Sequence, residues 1–361
     1  MQQLFNTRNY SVRDFEEWQD RGELVLAPKF QRREVWNAKA RSYLIDTILR
    51  GKPIPKLYMR QSVNPSTRRT TREIVDGQQR LRTVLSFIKD GFKISKAHHE
   101  DYAGRYFSEL GNKTQGEILK YEFVVDLLQD MPDNEVYDVF ARINTYAEKL
   151  KPQELRNAQW FGEFKSSVYL LAKDFLSFLE KNQVFTSKQI LRMAEAEFIS
   201  ELLLAIHEGI REGKKSVIDK AYKDYDDEFP HRKTHEKQFR ETIDIIGNIV
   251  GDELPKLRFR ATRLFYPLFC AVYHAKFRLP RLLLAPRTSL RVGHYPKLKI
   301  ALEQIDQLIE RIEAAEKAHE SLDLSAEDRR FYDAYREHWV HANNRTVLTK
   351  YLCRQFHRTL N

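Results

Sequence analysis

The chain has 361 residues, 42% of them hydrophobic and 12% aromatic, enough for about two domains with cores of their own and incompatible with a disordered, collagen-like or mucin-like polymer. Two cysteines, Cys270 and Cys353, exclude a disulfide framework and a four-thiolate zinc site and fit a reducing compartment. Charged residues make up 31% with a net charge of +10, and the longest apolar run, Leu264 to Val272, falls far short of the ~20 residues that cross a bilayer; a soluble, cytoplasmic chain without membrane contact is expected.

Ser11 followed by Asp14 signals a capped helix start, with Phe15 and Trp18 on its apolar stripe and Gly22 after it. Glu23 to Ala27 reads as a short strand. Asn37 can cap a helix carrying Tyr43, Leu44, Ile45, Ile48 and Leu49, stopped by Gly51, Pro53 and Pro55. Lys56 to Met59 and Thr71 to Val75 read as strands joined by a turn at Asn64, Pro65 and Ser66. A helix follows from Gln78 to Gly91, then a strand over Tyr121 to Leu128 and an amphipathic helix over Asn134 to Ile143.

After Pro152 the strand signals fade. Glu154 to Gln183, Ile190 to Gly213, the isoleucines from Ile243 to Ile249, Ile300 to Ala318 and Ala326 to His357 repeat apolar residues at helical spacing. The reading is α+β: a mixed α/β domain over residues 1–158, then an all-α domain over 159–361.

The net charge sits in one tract. From Leu254 to Leu302 there is no Asp or Glu, while Arg258, Arg260, Arg263, Arg278, Arg281, Arg287, Arg291 and four lysines supply positive charge among Phe259, Phe265, Tyr266, Phe269, Tyr273, Phe277 and Tyr295. Cations interleaved with aromatics suit a polyanion, so the seven arginines are candidate nucleic-acid contacts. Surface charges scattered over helices with core aromatics give the same pattern.

The stretch Ile74-Val75-Asp76-Gly77-Gln78-Gln79-Arg80-Leu81-Arg82-Thr83 carries the chemistry. An apolar strand ends in Asp76, Gly77 permits a sharp turn, and a helix starts at once, aiming free N–H groups and the positive end of its dipole at whatever lies above. Arg80 and Arg82 add charge-assisted bonds that suit a phosphate. Asp76 can hold a divalent cation or position a water. The alternative is a plain strand-to-helix turn in which Asp76 caps the helix and Arg80 pairs with a neighbouring acid.

With Phe30-Gln31-Arg32-Arg33-Glu34-Val35-Trp36 upstream and Phe140-Ala141-Arg142-Ile143-Asn144 and Leu150-Lys151-Pro152-Gln153-Glu154-Leu155-Arg156-Asn157-Ala158 downstream, this stretch resembles the N-terminal domain of GmrSD-type modification-dependent restriction enzymes, of the ParB/sulfiredoxin-like superfamily. The resemblance implies a ParB/sulfiredoxin-like fold for the first domain and binding and hydrolysis of a nucleoside triphosphate with Mg2+ in defence against phage. It places that role on Asp76, Gly77, Gln78, Gln79 and Arg80 and favours a cleft position for Gln31 and Arg32, which otherwise solvate a loop. The expected site then has Asp76, Gln79 and Arg80 in catalysis, Asp76 on the metal, and Gln31, Arg32, Gly77, Gln78, Arg82, Thr83 and Asn144 on the nucleotide, with closure of its own helix as the alternative for Asn144. The histidine-centred nuclease domain of larger members has no match here, so DNA and a partner nuclease or other defence protein are the expected partners, with homo-oligomerisation open. A ParB-like binding or scaffolding module without catalysis, or a nuclease acting through Asp76 itself, are the alternatives. Gln31, Arg32 and Arg80 are expected to converge on a cleft with Asp76 at its mouth.

Overall fold

The structure is a computed structural model that describes residues 5–26, 36–132, 135–136, 138–139, 152–284 and 290–360. It divides into two compact units, Met1–Lys149 and Leu150–Asn361. The first holds β1 (Asn6–Ser11), α1 (Val12–Asp20), β2 (Leu24–Val25), α2 (Ala38–Leu49), β3 (Leu57–Val63), β4 (Thr70–Asp76), α3 (Gln78–Ile88), α4 (Asn112–Lys120) and β5 (Glu122–Gln129).

Local chemistry sets these boundaries. Ser11 and Asp14 form the expected capping box at α1, and the Asn37 side chain accepts from Ala40 N at 2.8 Å to start α2. Asn64 Oδ1 accepts from the backbone of Ser66 and Thr67 and folds the β3 to β4 turn. The strands form one mixed sheet in the order β1-β5-β3-β4-β2. β1 with β5 and β3 with β4 are antiparallel, whereas β5 with β3 and β4 with β2 are parallel.

One sheet face presents Leu57, Met59, Ile74, Phe123, Val125 and Leu127 to the helices, where they pack with Phe15, Leu44 and Leu81. The alternate residues Val75 and Leu128 join Met131, Val136 and Tyr58 in a second, smaller cluster on the other face. β1 was not foreseen: Asn-Thr-Arg-Asn-Tyr-Ser has no apolar alternation, because it is an edge strand with four exposed residues. The helix expected over Asn134 to Ile143 lies largely outside the described residues.

The described residues of the second unit form helices and connecting segments without a strand: α5 (Pro152–Gln159), α6 (Glu163–Lys181), α7 (Ser187–Ile190), α8 (Ala194–Glu208), α9 (Lys215–Asp224), α10 (Arg232–Val250), α11 (Thr262–Phe277), α12 (Tyr295–Ala318), α13 (Ala326–Arg336) and α14 (Ala342–Leu360). The run read as helical over Glu154 to Gln183 breaks at Gly162. A Cβ there would overlap the Asp226 carbonyl, which accepts from Glu163 N at 3.2 Å while Tyr225 O accepts from Phe164 N. Helix α11 is buried continuously from Leu264 to Ala275 and lies at the centre of a core with Phe164, Leu203, Ile246 and Leu352. Its lack of acids therefore reflects burial, which excludes unpaired carboxylates.

Two helices of this core face each other through His207 Nδ1 and His235 Nε2, 3.0 Å apart. Burial, reinforced by His207 and His231, pushes buried His235 down to about 4. Between pH 6.5 and 4 the unfolded chain binds the proton that the folded chain refuses, so stability is full above pH 6.5 and falls with pH through this window. Urea unfolding is expected to give about 2 kcal/mol less stability at pH 5 than at pH 7. His235→Gln should flatten most of that difference; an unchanged pH dependence in the variant would assign it elsewhere.

Candidate functional site

Strand β4 ends in Asp76 and α3 begins two residues later because Gly77 takes φ +92°, a left-handed conformation that costs glycine little. Gly77 brings no capping side chain to α3, and a helix start entered through a glycine suits an approaching anion. The buried Gln78 side chain turns back and donates to Ile74 O at 2.9 Å. Thr83, also buried, donates to Gln79 O at 2.7 Å. These two serve the turn and the helix, while Arg82 is exposed and Gln79 and Arg80 are partly buried. Arg82 donates to Leu26 O.

Asp76 does not cap the helix. Its Oδ2 accepts from Arg80 Nη2 at 2.9 Å, while Arg80 Nη1 donates to the carbonyls of Pro55 and Lys56, the latter at 3.2 Å. One guanidinium thus ties the end of β4 to the approach to β3. Burial lowers the Arg80 pKa below its ordinary value against the opposing pull of Asp76, and the group stays charged at neutral pH.

The register carries the site across the sheet. Asp76 pairs with Tyr58 beside a local irregularity, Tyr58 with Asp126, and Asp126 with Thr7, which puts the Asp76 and Asp126 backbones roughly 10 Å apart. Asp126 is 2% exposed. Its Oδ1 accepts from Thr7 Oγ1 at 2.7 Å and its Oδ2 lies 2.5 Å from Lys56 Nζ. Lys56, with 46% of its side chain exposed, holds its ammonium 5.2 Å from the Tyr58 ring centre. The Asp126 carboxylate, aided by Tyr58, raises the Lys56 pKa. Sequence reasoning missed Lys56, Tyr58, Thr7 and Asp126; the available signal was an Asp inside the apolar strand Phe-Val-Val-Asp-Leu-Leu.

The residues present suit a cation only in part. Among the described residues no group of three or more His, Cys, Asp or Glu could hold a metal ion. A half-buried Asp76 carboxylate with one oxygen engaged by Arg80 offers the single protein ligand that Mg2+ commonly takes beside water and phosphate oxygens.

Gln31, Arg32, Asn144 and Arg287 lie outside the described residues, so the expected convergence of Gln31 and Arg32 on Arg80 does too. In the basic tract, Arg258 pairs with Asp306 at 3.2 Å and Glu313 at 3.1 Å. Arg260 donates to Gln183, and Arg263 lies 5.1 Å over the Tyr335 ring. Arg278, Arg281 and Arg291 are exposed. The first three precede or open α11 and Arg278 and Arg281 follow it, so a helix about 24 Å long separates the two groups. Phe259, Phe265, Tyr266, Phe269 and Tyr273 are core residues and offer no surface for stacking on bases.

The molecule is thus defined as an α+β protein: a five-stranded mixed sheet whose Asp-Gly-Gln-Gln-Arg turn opens a helix, followed by a helical unit. Residues 15–161 match the family model described as GmrSD restriction endonuclease, N-terminal domain. That match, over the stretch that contains the Asp76 turn, relates the protein to restriction systems. No curated protein and no solved structure matches the chain. Among the described residues no helix is long and apolar enough to cross a membrane.

Proposed function

We propose that the protein is a nucleotide-binding, triphosphate-hydrolysing component of an antiphage DNA restriction system, with the nucleotide at the Asp76 turn. The observation that carries the reading is the start of α3 directly behind the left-handed Gly77, which brings no capping side chain, with Asp76 and Arg80 beside it. Backbone N–H groups and a guanidinium suit phosphate oxygens, and Asp76 is the residue that would hold Mg2+. The cation, when bound, supplies neutralisation of charge on the phosphates. Gln79, Arg80 and Arg82 are the side-chain contacts, while Gly77, Gln78 and Thr83 shape the turn. DNA would meet the exposed Arg278, Arg281 and Arg291 of the helical unit, and a partner nuclease or other defence protein would cut it.

Turnover and affinity for ATP, GTP, CTP and UTP with Mg2+, with and without duplex DNA, test this. Arg80→Ala should weaken binding by about 1.5–3 kcal/mol, whereas Asp76→Ala should lower turnover more than affinity. Equal affinity and turnover in the wild type and both variants would leave Asp76 and Arg80 as a fastening between strands. One observation favours that second reading, a ParB-like DNA-binding or scaffolding module without catalysis: Arg80 is already engaged by Asp76 and two carbonyls.

A further inference from the structure

We propose that Lys56 is a second phosphate-binding cation of the Asp76 turn and that Asp126 is the residue that positions it. The inference rests on the nucleotide reading above and adds to it a residue from another strand. Lys56 follows Pro53-Ile54-Pro55 and is held at both ends. Its carbonyl accepts from Arg80 at 3.2 Å, the side chain that grips Asp76, and its ammonium lies 2.5 Å from Asp126 Oδ2.

The carboxylate that does this is an unusual one. Asp126 sits among the apolar residues Phe123 to Leu128 of β5, is 2% exposed, and has its other oxygen engaged by Thr7. An ion pair whose cation is nearly half exposed gains little stability from its attraction. What it does secure is direction, because a lysine stem is flexible and an ammonium is a point charge without the built-in aim of a guanidinium. The cross-strand row puts that charge next to Tyr58, the residue that pairs directly with Asp76. An ammonium carries three donors, and with nearly half the side chain exposed Lys56 can keep its bond to Asp126 and offer another to a phosphate oxygen. Raised above the ordinary lysine pKa by Asp126, it remains a cation throughout the physiological range.

The test uses the full chain and the four Mg-triphosphates, titrated calorimetrically at two ionic strengths. Lys56→Ala should weaken the best-bound triphosphate roughly tenfold and reduce the salt dependence of binding. Lys56→Arg should restore most of the affinity. Asp126→Asn should weaken binding too, and the double variant Lys56→Ala/Asp126→Asn should lose no more than Lys56→Ala alone, the signature of a residue acting through another. Lys56→Ala binding within twofold of wild type while Arg80→Ala loses binding would overturn the role of Lys56 and leave the nucleotide site standing. Wild-type protein that binds none of the four would overturn the nucleotide reading itself, and this inference with it. Should Lys56→Ala fold poorly, Lys56→Gln with the same two-salt titration decides the question, since an ion pair that only supports the fold would leave the salt dependence unmoved.

Discussion

Gly77→Ala is expected to destabilise the N-terminal unit by about 2–5 kcal/mol, because two costs add at one atom. A non-glycine residue at φ +92° is strained by on the order of 1–2 kcal/mol. The new Cβ would also overlap Leu57 Cδ2 and come within 3.1 Å of Arg80 Nη2, and Leu57 is completely buried. Overpacking of a closed core costs roughly 1–3 kcal/mol more. Chemical denaturation of the variant beside wild type measures the sum, and triphosphate affinity measured on the folded fraction reports whether the turn still aims its N–H groups. A loss below about 0.5 kcal/mol would mean that the turn can relax into another conformation and that the left-handed glycine is not what shapes the site.

In the helical unit the largest loss is expected from Arg345→Ala, at about 3–5 kcal/mol. Arg345 is 1% exposed. It donates to Glu201 and to Arg211 O between the Tyr266 ring at 4.1 Å and the Trp339 ring at 4.9 Å. Gly213 leaves room for the guanidinium that any Cβ would occupy. Removing the arginine strands Glu201, whose pKa burial already raises against the pull of Arg345. Replacing both members, as in Arg345→Met/Glu201→Gln, should recover part of the loss in the same unfolding experiment. A single variant as stable as wild type would show that water or another cation takes over the carboxylate.

Much of the N-terminal unit is legible because its punctuation is local. Ser11 with Asp14, Asn37 and Asn64 each satisfy backbone groups within three residues of themselves, so a reader of the chain needs no tertiary knowledge to place them. The Asp76 turn is visible because a glycine directly follows an apolar strand and directly precedes a helical repeat. Lys56 and Asp126 are not, since 70 residues separate them and only the parallel pairing of β3 with β5 joins them. The aromatics of the basic tract are misleading for a related reason. Phe265, Phe269 and Tyr273 have the composition of a stacking surface, and only their burial around α11 identifies them as packing. The acids that neutralise Arg258 come from α12, some 50 residues on.

The strand order has a consequence for synthesis and for fragments of the protein. β5 is made last yet lies between β1 and β3, so until residue 129 has emerged, β1 has no neighbour and β3 presents an open edge. The hydrogen bond from Thr7 to Asp126 closes a span of 119 residues, and such distant pairings form slowly and leave strand edges available to other chains meanwhile. A nascent or truncated chain ending before Glu122 would contain the whole Asp-Gly-Gln-Gln-Arg turn and still lack both β5, the strand that covers the far edge of β3, and the carboxylate opposite Lys56. The motif is local, but the surface on which it sits is completed only by the arrival of a strand from the far end of the unit.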